Sequence, residues 1–304
     1  MITKALKKIR RKLGTTQVKD LHAFDKTVYW VVKNHQTAQS LVKQHGEILN
    51  ESIKNYKTSD TLFILGSGPS INDITDDQWK TIKSSDSIGF NFWPVHEFVP
   101  SFFMFQPGND KSSEKLAKVL YDKSQDYGNV PIIIRGSGMA NGLLNFENDS
   151  HAFLLNHTVY YLKEYFIHPN CSIEPNSLFD YTEALGMLCF GKIPHFVPKW
   201  KTTMGLLLSF SFNLGYNNVI LCGMDMKDSS HFWDNIGYQS AKDHYQLPEP
   251  GHSNIWTFTN KKISQYTIPD YVEAFNNWAK KRNDFKLFIH NSNTVLHPKI
   301  PIYF

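Results

Sequence analysis

Short apolar runs alternate with polar turns along the chain, and the clearest of them is Thr61–Leu65. A run of this length with few polar residues is typical of a buried strand. It ends in Gly-Ser-Gly-Pro-Ser over 66–70, where Pro69 followed by Ser70 is typical of a helix start, and we predict a helix over 71–82. A strand, a glycine turn and a helix N-terminus together can bind an anion, because unpaired amide N–H groups point outward there.

This turn matches neither of two common phosphate-binding motifs. Gly66 and Gly68 are present, but Ile71 stands where the dinucleotide-binding motif has its third glycine. No Gly-Lys-Ser or Gly-Lys-Thr follows, so the turn is not a P-loop either. The turn by itself leaves two interpretations open, a nucleotide or phosphate site and an ordinary tight strand-to-helix turn.

The alternation of apolar runs and polar turns continues toward the C-terminus. Further strands are predicted at 87–90, 101–106, 130–135, 217–225 and 285–289. Helices are predicted at 111–123, 181–190, 201–216 and 271–282. Gly215 is expected to end the third of these helices, and Thr202 or Thr203 to cap its start. Alternating strands and helices predict an α/β/α sandwich with a mainly parallel, Rossmann-type sheet.

Polar residues stand at the ends of the first three predicted strands. Asn91 follows the second strand and Gln106 closes the third, as Gly66 and Ser67 follow the first. Ligands of open parallel sheets bind outside the carboxyl ends of the strands, so these residues fall on one candidate edge. A side-chain amide donates and accepts hydrogen bonds, which suits a base, a ribose or a sugar, although each amide taken alone is also typical of an ordinary turn.

Two parts of the chain are predicted around this sheet. Residues 1–60 are interpreted as a helical extension, and 61–304 as the main domain, because the first buried strand follows the polar stretch 57–60 directly. Within the main domain, 139–200 is interpreted as an insertion beside the site. The polar stretch 234–251 is long enough for an active-site lid.

The composition suits one large α/β domain. The chain has 304 residues, of which 41% are hydrophobic and 14% aromatic. No apolar run approaches the roughly 20 residues of a spanning helix, and no apolar N-terminal signal is seen. The three cysteines Cys171, Cys189 and Cys222 lie far apart, in neither a metal-binding nor a disulfide pattern. We therefore expect a cytoplasmic protein without a bound metal.

The net charge of +4 is concentrated at the N-terminus. Residues 1–13 include six basic residues and no acidic one, and their apolar residues recur at helical spacing. Such a helix can lie on an anionic membrane surface, which predicts peripheral binding at the inner face of the membrane. A solvated terminus and a nucleic-acid-binding arm are the alternatives. The rest of the chain has no concentrated basic stripe, so we do not expect nucleic acid as a partner.

Four segments together resemble the bacterial sialyltransferases of glycosyltransferase family 42. They are Leu-Gly-Ser-Gly-Pro-Ser-Ile over 65–71, Gly-Phe-Asn-Phe over 89–92, Thr-Thr-Met-Gly over 202–205 with Leu-Gly-Tyr-Asn-Asn-Val-Ile-Leu-Cys-Gly-Met-Asp over 214–225, and Gly-His-Ser over 251–253. The resemblance spans about 61–296 and omits 1–60 and much of 139–200. The first segment is also shared with motility-associated glycosyltransferases and pterin pyrophosphokinase-like proteins.

The resemblance implies a GT-A-like fold with a lid and inverting transfer from a CMP-linked sugar, with no cofactor or metal ion. By position, it assigns nucleotide-sugar binding to Gly66, Ser67, Gly68, Asn91, Gln106, Thr203, Gly205 and Asp225. Gln106 stands where the family has an asparagine. The alternative for Asp225 is a structural role in the turn that follows its strand. The insertion at 139–200 would then lie on the acceptor side.

The same resemblance assigns the catalytic residues. His252 matches the general base that removes the proton of the acceptor hydroxyl, a task for which the near-neutral pKa of histidine is suited. An exposed surface histidine is the alternative. Lys227 and His231 stand at or near the positions of two family tyrosines that assist the departing phosphate. A cation could neutralise that phosphate, or the change indicates another donor. Met204 replaces a small polar residue near the donor carboxylate, so the sugar is sialic acid, Kdo or another nonulosonic acid.

The leading hypothesis is therefore an inverting glycosyltransferase that moves a nonulosonic acid from its CMP-linked donor to a glycan or glycolipid acceptor, in lipopolysaccharide or capsule biosynthesis. The donor, the linkage and homo-oligomerisation are left open. One alternative is a motility-associated or pterin pyrophosphokinase-like relative with another nucleotide donor. A second alternative is a non-catalytic protein that binds a nucleotide or glycan.

Overall fold

A computed structural model of the protein describes residues 18–107, 111–136, 149–167, 174–200, 202–227, 229–249 and 265–304. Its strands are β1 (Glu47–Ile48), β2 (Thr61–Leu65), β3 (Asp86–Phe90), β4 (Phe102–Phe105), β5 (Ile132–Arg135), β6 (Val159–Leu162), β7 (Glu164–Ile167), β8 (Val197–Trp200), β9 (Asn218–Cys222) and β10 (Lys286–Ile289). Its α-helices are α1 (Val18–Val42), α2 (Asp76–Lys83), α3 (Lys111–Asp122), α4 (Asp149–Ala152), α5 (Pro175–Ala184), α6 (Thr203–Leu214), α7 (Gln239–Tyr245) and α8 (Ile268–Lys280). Short 3-10 helices cover Glu51–Tyr56, Pro69–Asp73, Trp93–Val95, Phe153–Asn156, Phe232–Asp234 and Ile236–Tyr238.

In this part of the chain, eight strands form one parallel sheet in the order β1-β6-β5-β4-β3-β2-β9-β10. A separate parallel pair joins β7 to β8. The inner strands of the large sheet are buried on both faces, as expected where helices cover a parallel sheet. The predicted α/β class with a mainly parallel, Rossmann-type sheet is confirmed.

Two apolar layers hold the sheet, one on each face. Leu62 and Ile64 of β2 point into the layer that contains α6 and α8, while Phe63 and Leu65 point into the other. Helix α6 is buried on all sides, which explains its almost entirely apolar sequence. At about 25 cal/mol per Å² of apolar surface removed from water, these layers are the main favourable term in folding.

The predicted ends of α6 are confirmed, and α8 covers most of the predicted 271–282. Thr202 caps α6, accepting a hydrogen bond from the Gly205 amide, and Gly215 ends it in the left-handed region with φ of 78°. Helix α8 starts at a capping box in which Thr267 and Asp270 satisfy each other's amide groups. The ends of α6 depend on neighbouring residues, which is why the local sequence predicts them.

Two helix predictions are wrong in their bounds. Instead of one helix over 71–82, the structure has the 3-10 helix Pro69–Asp73 and then α2, which a capping box of Thr75 and Gln78 starts afresh. Instead of a helix over 181–190, α5 begins after Glu174, whose carboxylate accepts from the Ser177 amide. In both cases a capping residue sets the start of the helix more strongly than the apolar spacing does.

The regions around the predicted boundaries contribute strands to the sheet. Helix α1 is one long helix in its described part, and Glu47–Ile48 after it pairs with β6 at the sheet edge. The stretch 139–200, predicted as an insertion, supplies β6 itself. The division at residue 60 stays a prediction. The basic segment 1–13 lies outside the described residues.

Candidate functional site

The strand order places a topological switch point at the carboxyl end of β2. The chain runs outward from β2 through β3, β4 and β5, then returns to the other side of β2 with β9. Loops that leave β2 and β9 therefore depart in opposite directions, and ligands of open parallel sheets bind at such a switch point. The turns after β2 and β9 therefore form the candidate site.

The glycine turn after β2 packs directly on the turn after β9. The Gly66 amide donates to the Cys222 carbonyl and the Gly68 amide to the Gly223 carbonyl, each at 2.8 Å. A Cβ atom on Gly66 would lie 2.5 Å from the Gly223 oxygen, and one on Gly68 would lie 2.8 Å from it. Both positions need glycine because two backbones approach closely there. The two amides are committed inside the protein.

Asp225 closes the same turn from the β9 side. Its carboxylate accepts hydrogen bonds from the Ser70 amide, at 2.9 Å, and from the Ser70 hydroxyl. Both residues are buried. The buried His290 adds a hydrogen bond from its ring to the Ser70 carbonyl, at 3.0 Å, and burial lowers the pKa of this histidine. Asp225 thus occupies the place of an anion at the start of the 3-10 helix, the structural role that was its alternative.

We call the backbone of 66–70 with Asp225 and His290 the closed turn. Of its amide groups, those of Gly66, Gly68 and Ser70 are paired internally, and Pro69 has none. Ser67 is half-buried. The nucleotide-binding roles predicted for Gly66, Ser67, Gly68 and Asp225 stay predictions, and Ser67 is the member of this set whose amide and hydroxyl have no role in these contacts.

Two non-glycine residues at this edge have left-handed backbones. Asn91 directly follows β3 and Met226 lies in the loop after β9, each with φ of 54°. These strands flank β2 on its two sides. Such backbones cost of order 1–3 kcal/mol, least for asparagine, and cluster at functional sites. Asn91 is half-buried, and no hydrogen-bond partner of its side chain is found in the described ranges. Its predicted ligand contact stays a prediction, and Gln106 follows β4 beside it.

The start of α6 brings together two predicted residues and one that sequence reasoning missed. The Thr203 hydroxyl accepts a hydrogen bond of 2.8 Å from the guanidinium of Arg135, the last residue of β5. Gly205 packs against Trp200, whose ring would lie 2.7 Å from a Cβ atom. Arg135 is 4% exposed. The signal that could have identified it is an arginine that ends the apolar run Ile-Ile-Ile.

The loop after β9 carries the two predicted cations. Lys227 is exposed, and its ammonium group donates to the Asn293 side chain at 3.2 Å. The His231 ring stacks on Trp233 with centroids 4.2 Å apart. The next residue, Phe232, donates from its amide to the Ser67 carbonyl at 2.9 Å. The backbone beside His231 therefore lies against the turn after β2, and the phosphate-stabilising roles of Lys227 and His231 stay predictions.

The remaining predicted catalytic residue is not among these. His252, with Gly251 and Ser253, lies outside the described residues. The groups of His, Cys, Asp and Glu within the described ranges include no cluster suited to a metal ion. No helix within those ranges has the length and apolar character needed to cross a membrane.

A cleft of about 780 Å³ opens at the opposite, amino edge of the sheet. Trp79 of α2, His96 and Phe98 line it, together with Ser87 at the start of β3. The His96 ring stacks on Trp93, and burial lowers the pKa of His96 to about 4. None of the predicted site residues lines this cleft. The carboxyl edge is therefore the better candidate, because the unusual backbones and the predicted polar residues meet there.

Comparison with known proteins gives little further assignment. No protein-family model matches the chain, and no curated protein matches it in sequence. Among solved structures, the chain is similar to the monofunctional α-2,3-sialyltransferase Cst-I of Campylobacter jejuni, at 15% identity and a TM-score of 0.43. The similarity covers 81% of each chain. A likeness at this level assigns the chain to no family.

Proposed function

We propose that the protein is an inverting, metal-independent glycosyltransferase that moves a nonulosonic acid from a CMP-linked donor to a glycan or glycolipid acceptor. The observation that carries the proposal is that parts of three motif segments, 66–71, 91–92 and 202–205 with 223–225, meet around one edge of the sheet. These segments are distant in sequence, and an arbitrary set of polar turns would be divided between the two edges. The switch point of the sheet lies among them.

The described side chains at this edge suit the two halves of such a donor. Asn91 and Ser67 can donate to and accept from a ribose or base, with Gln106 next along the edge. Lys227 and His231 lie on the loop that covers the turn, where positive charge can stabilise a departing phosphate. Because the amides of Gly66, Gly68 and Ser70 are paired internally, phosphate binding rests on Ser67 and on the side chains of Lys227 and His231.

Proton removal from the acceptor is assigned to His252. A neutral imidazole accepts the hydroxyl proton as the acceptor oxygen attacks the sugar carbon, and the CMP phosphate leaves from the opposite face, which inverts that carbon. Binding at the inner face of the membrane through residues 1–13 would bring the enzyme to a glycolipid acceptor.

The first experiment measures CMP release from CMP-N-acetylneuraminic acid and from CMP-Kdo, each with and without EDTA. Release from one donor that resists EDTA is expected. Release that EDTA abolishes would reject the metal-independent mechanism. CMP binding without release from either donor would favour the non-catalytic alternative, for which the internally paired amides of the closed turn are the supporting observation. Absence of CMP binding would reject the proposal.

Replacement of the proposed base gives the sharper test. His252→Ala should lower transfer about 100-fold or more, while the Kd for CMP changes by less than about twofold, because a general base contributes about 10²–10⁴ to the rate. His244→Ala is the matched control, since His244 lies on α7 with a side chain 59% exposed. Equal transfer by the His252 and His244 variants would show that His252 is not the base.

A further inference from the structure

A buried ionic cluster lies where β5, β7 and β8 meet the start of α6. The Arg135 Nε atom is 3.8 Å from Oε1 of Glu164, and the Lys199 Nζ atom is 3.7 Å from Oε2 of the same carboxylate. The side chains of Arg135, Lys199 and Glu164 are 5%, 11% and 0% exposed. Two cations thus surround one buried carboxylate. We call these three residues, together with Asn34, the acid cluster.

Among the described residues, the positive charge of the acid cluster is not balanced. Two cations face one carboxylate, and the Arg135 guanidinium also binds Thr203 at the N-terminus of the twelve-residue α6, the positive end of the helix dipole. Burial lowers the pKa values of both Arg135 and Lys199, although Glu164 opposes the shift. Buried charges are costly unless paired, so the cluster favours one more negative group.

The acid cluster also contains acceptor atoms without donors. Both carboxylate oxygens of Glu164 and the Oδ1 atom of Asn34 are buried without a hydrogen-bond partner in the described ranges. These two side chains are close together, since a Cβ atom on Gly136 would lie 3.0 Å from Asn34 and 3.2 Å from Glu164. Buried polar atoms are nearly always hydrogen-bonded, so these three oxygens call for hydroxyl or amide donors beyond those of the described residues.

We propose that the acid cluster is the binding subsite for the sugar acid of a substrate. Arg135 and the start of α6 bind its carboxylate, while Glu164 and Asn34 accept hydrogen bonds from its hydroxyl groups. One molecule that carries a carboxylate and several hydroxyls satisfies both the unbalanced charge and the orphaned oxygens. A neutral sugar would leave the charge uncompensated, and a simple anion would leave the oxygens unpaired.

This inference rests on the proposed function for the identity of the sugar acid, and it goes beyond that function in naming the residues that select an acid. Arg135 ends β5, at the same edge of the sheet as Asn91 and the turn after β2. The sugar acid belongs to the donor if binding of its CMP-linked form also depends on Arg135. It belongs to the acceptor if only the free acid does.

The test is a ligand-observed NMR titration of the full chain with N-acetylneuraminic acid and with Kdo, each against its methyl ester. The esters keep the hydroxyls and lose the charge. The wild-type protein should bind one acid at least tenfold more tightly than its ester, and Arg135→Met should abolish that preference, as expected for charge-assisted hydrogen bonds. Arg282→Met is the matched control, because Arg282 pairs with Asp180 and Glu183 on the exposed surface.

Each outcome decides the proposal. Absence of a preference for either acid over its ester overturns it and leaves a buried water as the partner of the orphaned oxygens. A preference retained in Arg135→Met also overturns it. If Arg135→Met fails to fold, Thr203→Val replaces it, since this change removes only the acceptor of the 2.8 Å hydrogen bond. A threefold or greater loss of preference supports the subsite, and no loss rejects it.

The same variants separate the subsite from the transferase proposal. Weaker binding of CMP-N-acetylneuraminic acid or CMP-Kdo by Arg135→Met, with unchanged binding of CMP, assigns the sugar acid to the donor. Unchanged binding of the CMP-linked forms with weaker binding of the free acid assigns it to the acceptor. An acid preference that depends on Arg135 in a protein without CMP release supports the subsite and rejects the transferase. CMP release by a protein whose preference for the acid does not depend on Arg135 supports the transferase and rejects the subsite.

Discussion

The closed turn and the acid cluster lie on the same edge of the sheet, but they differ in whether their buried polar atoms have hydrogen-bond partners. In the closed turn, the carboxylate of Asp225 receives hydrogen bonds from Ser70, and the amides of Gly66 and Gly68 receive carbonyl partners. In the acid cluster, the Glu164 carboxylate is equally buried but has no hydrogen bond among the described residues. The first region is complete by itself, whereas the second offers charge and acceptor atoms to a ligand. Burial of a carboxylate therefore does not by itself indicate a binding site. Oxygen atoms that are buried without a hydrogen-bond partner are the stronger indication.

The largest expected effect is the loss of stability when the closed turn is opened. Asp225→Ala leaves the buried amide and hydroxyl of Ser70 without an acceptor, which should cost about 3 kcal/mol of unfolding free energy. Arg135→Met should cost less than about 1 kcal/mol, because Glu164 keeps Lys199 as its partner and a cation leaves the positive end of α6. Chemical denaturation of both variants measures the difference.

Asp77→Ala serves as the control for the first of these variants. Asp77 is a carboxylate on α2 whose side chain is 89% exposed, and its replacement should change stability by less than about 0.5 kcal/mol. Similar losses in Asp225→Ala and Arg135→Met would show that the two regions do not differ in the way described.

Acid should weaken the fold because two buried histidines, His96 and His290, have lowered pKa values. Burial lowers the pKa of His96 from 6.5 to about 4, and it lowers the pKa of His290 in the closed turn. Both histidines are neutral in the folded protein, so the unfolded chain binds more protons below pH 6.5. The stabilising contribution is present above about pH 6.5 and is lost as the pH falls toward 4, amounting to about 3 kcal/mol for His96.

Denaturation at pH 7 and pH 4.5 tests this prediction. His96→Phe keeps a ring between its aromatic neighbours and should remove most of the His96 share of the pH dependence. The remaining slope below pH 6.5 then includes the contribution of His290 and the closed turn. A stability that is equal at the two pH values would contradict the buried, neutral state of both histidines.

The smallest expected effect concerns the backbone of Asn91. Asn91→Gly should change stability by less than about 0.5 kcal/mol, because glycine accepts a φ of 54° without strain. Asn91→Val should cost about 1–2 kcal/mol, since a β-branched side chain is strained there. If Asn91 contacts the nucleotide, Asn91→Gly also weakens CMP binding, which a titration of the folded variant measures. Equal CMP affinity in wild type and Asn91→Gly would reject that contact.

Much of the sheet follows from local sequence. The apolar run of β2, the glycine at the end of α6 and the capping threonine of α8 specify their elements through neighbours within a few residues. The helix predicted over 71–82 was wrong because Thr75 and Gln78 start a new helix, a signal that was present in the sequence but was outweighed by the apolar spacing. The carboxyl-edge location of Asn91 and Gln106 likewise follows from strand ends alone.

The sequence by itself thus determined six of the ten described strands, the class of fold and the edge on which polar residues gather. Tertiary structure decided which of those residues are available. Asp225 and Ser70 are 155 positions apart, and Arg135 and Thr203 are 68 apart, so no local pattern relates them. Burial then fixes the outcome, because a polar group removed from water must find a partner within the fold or in a ligand.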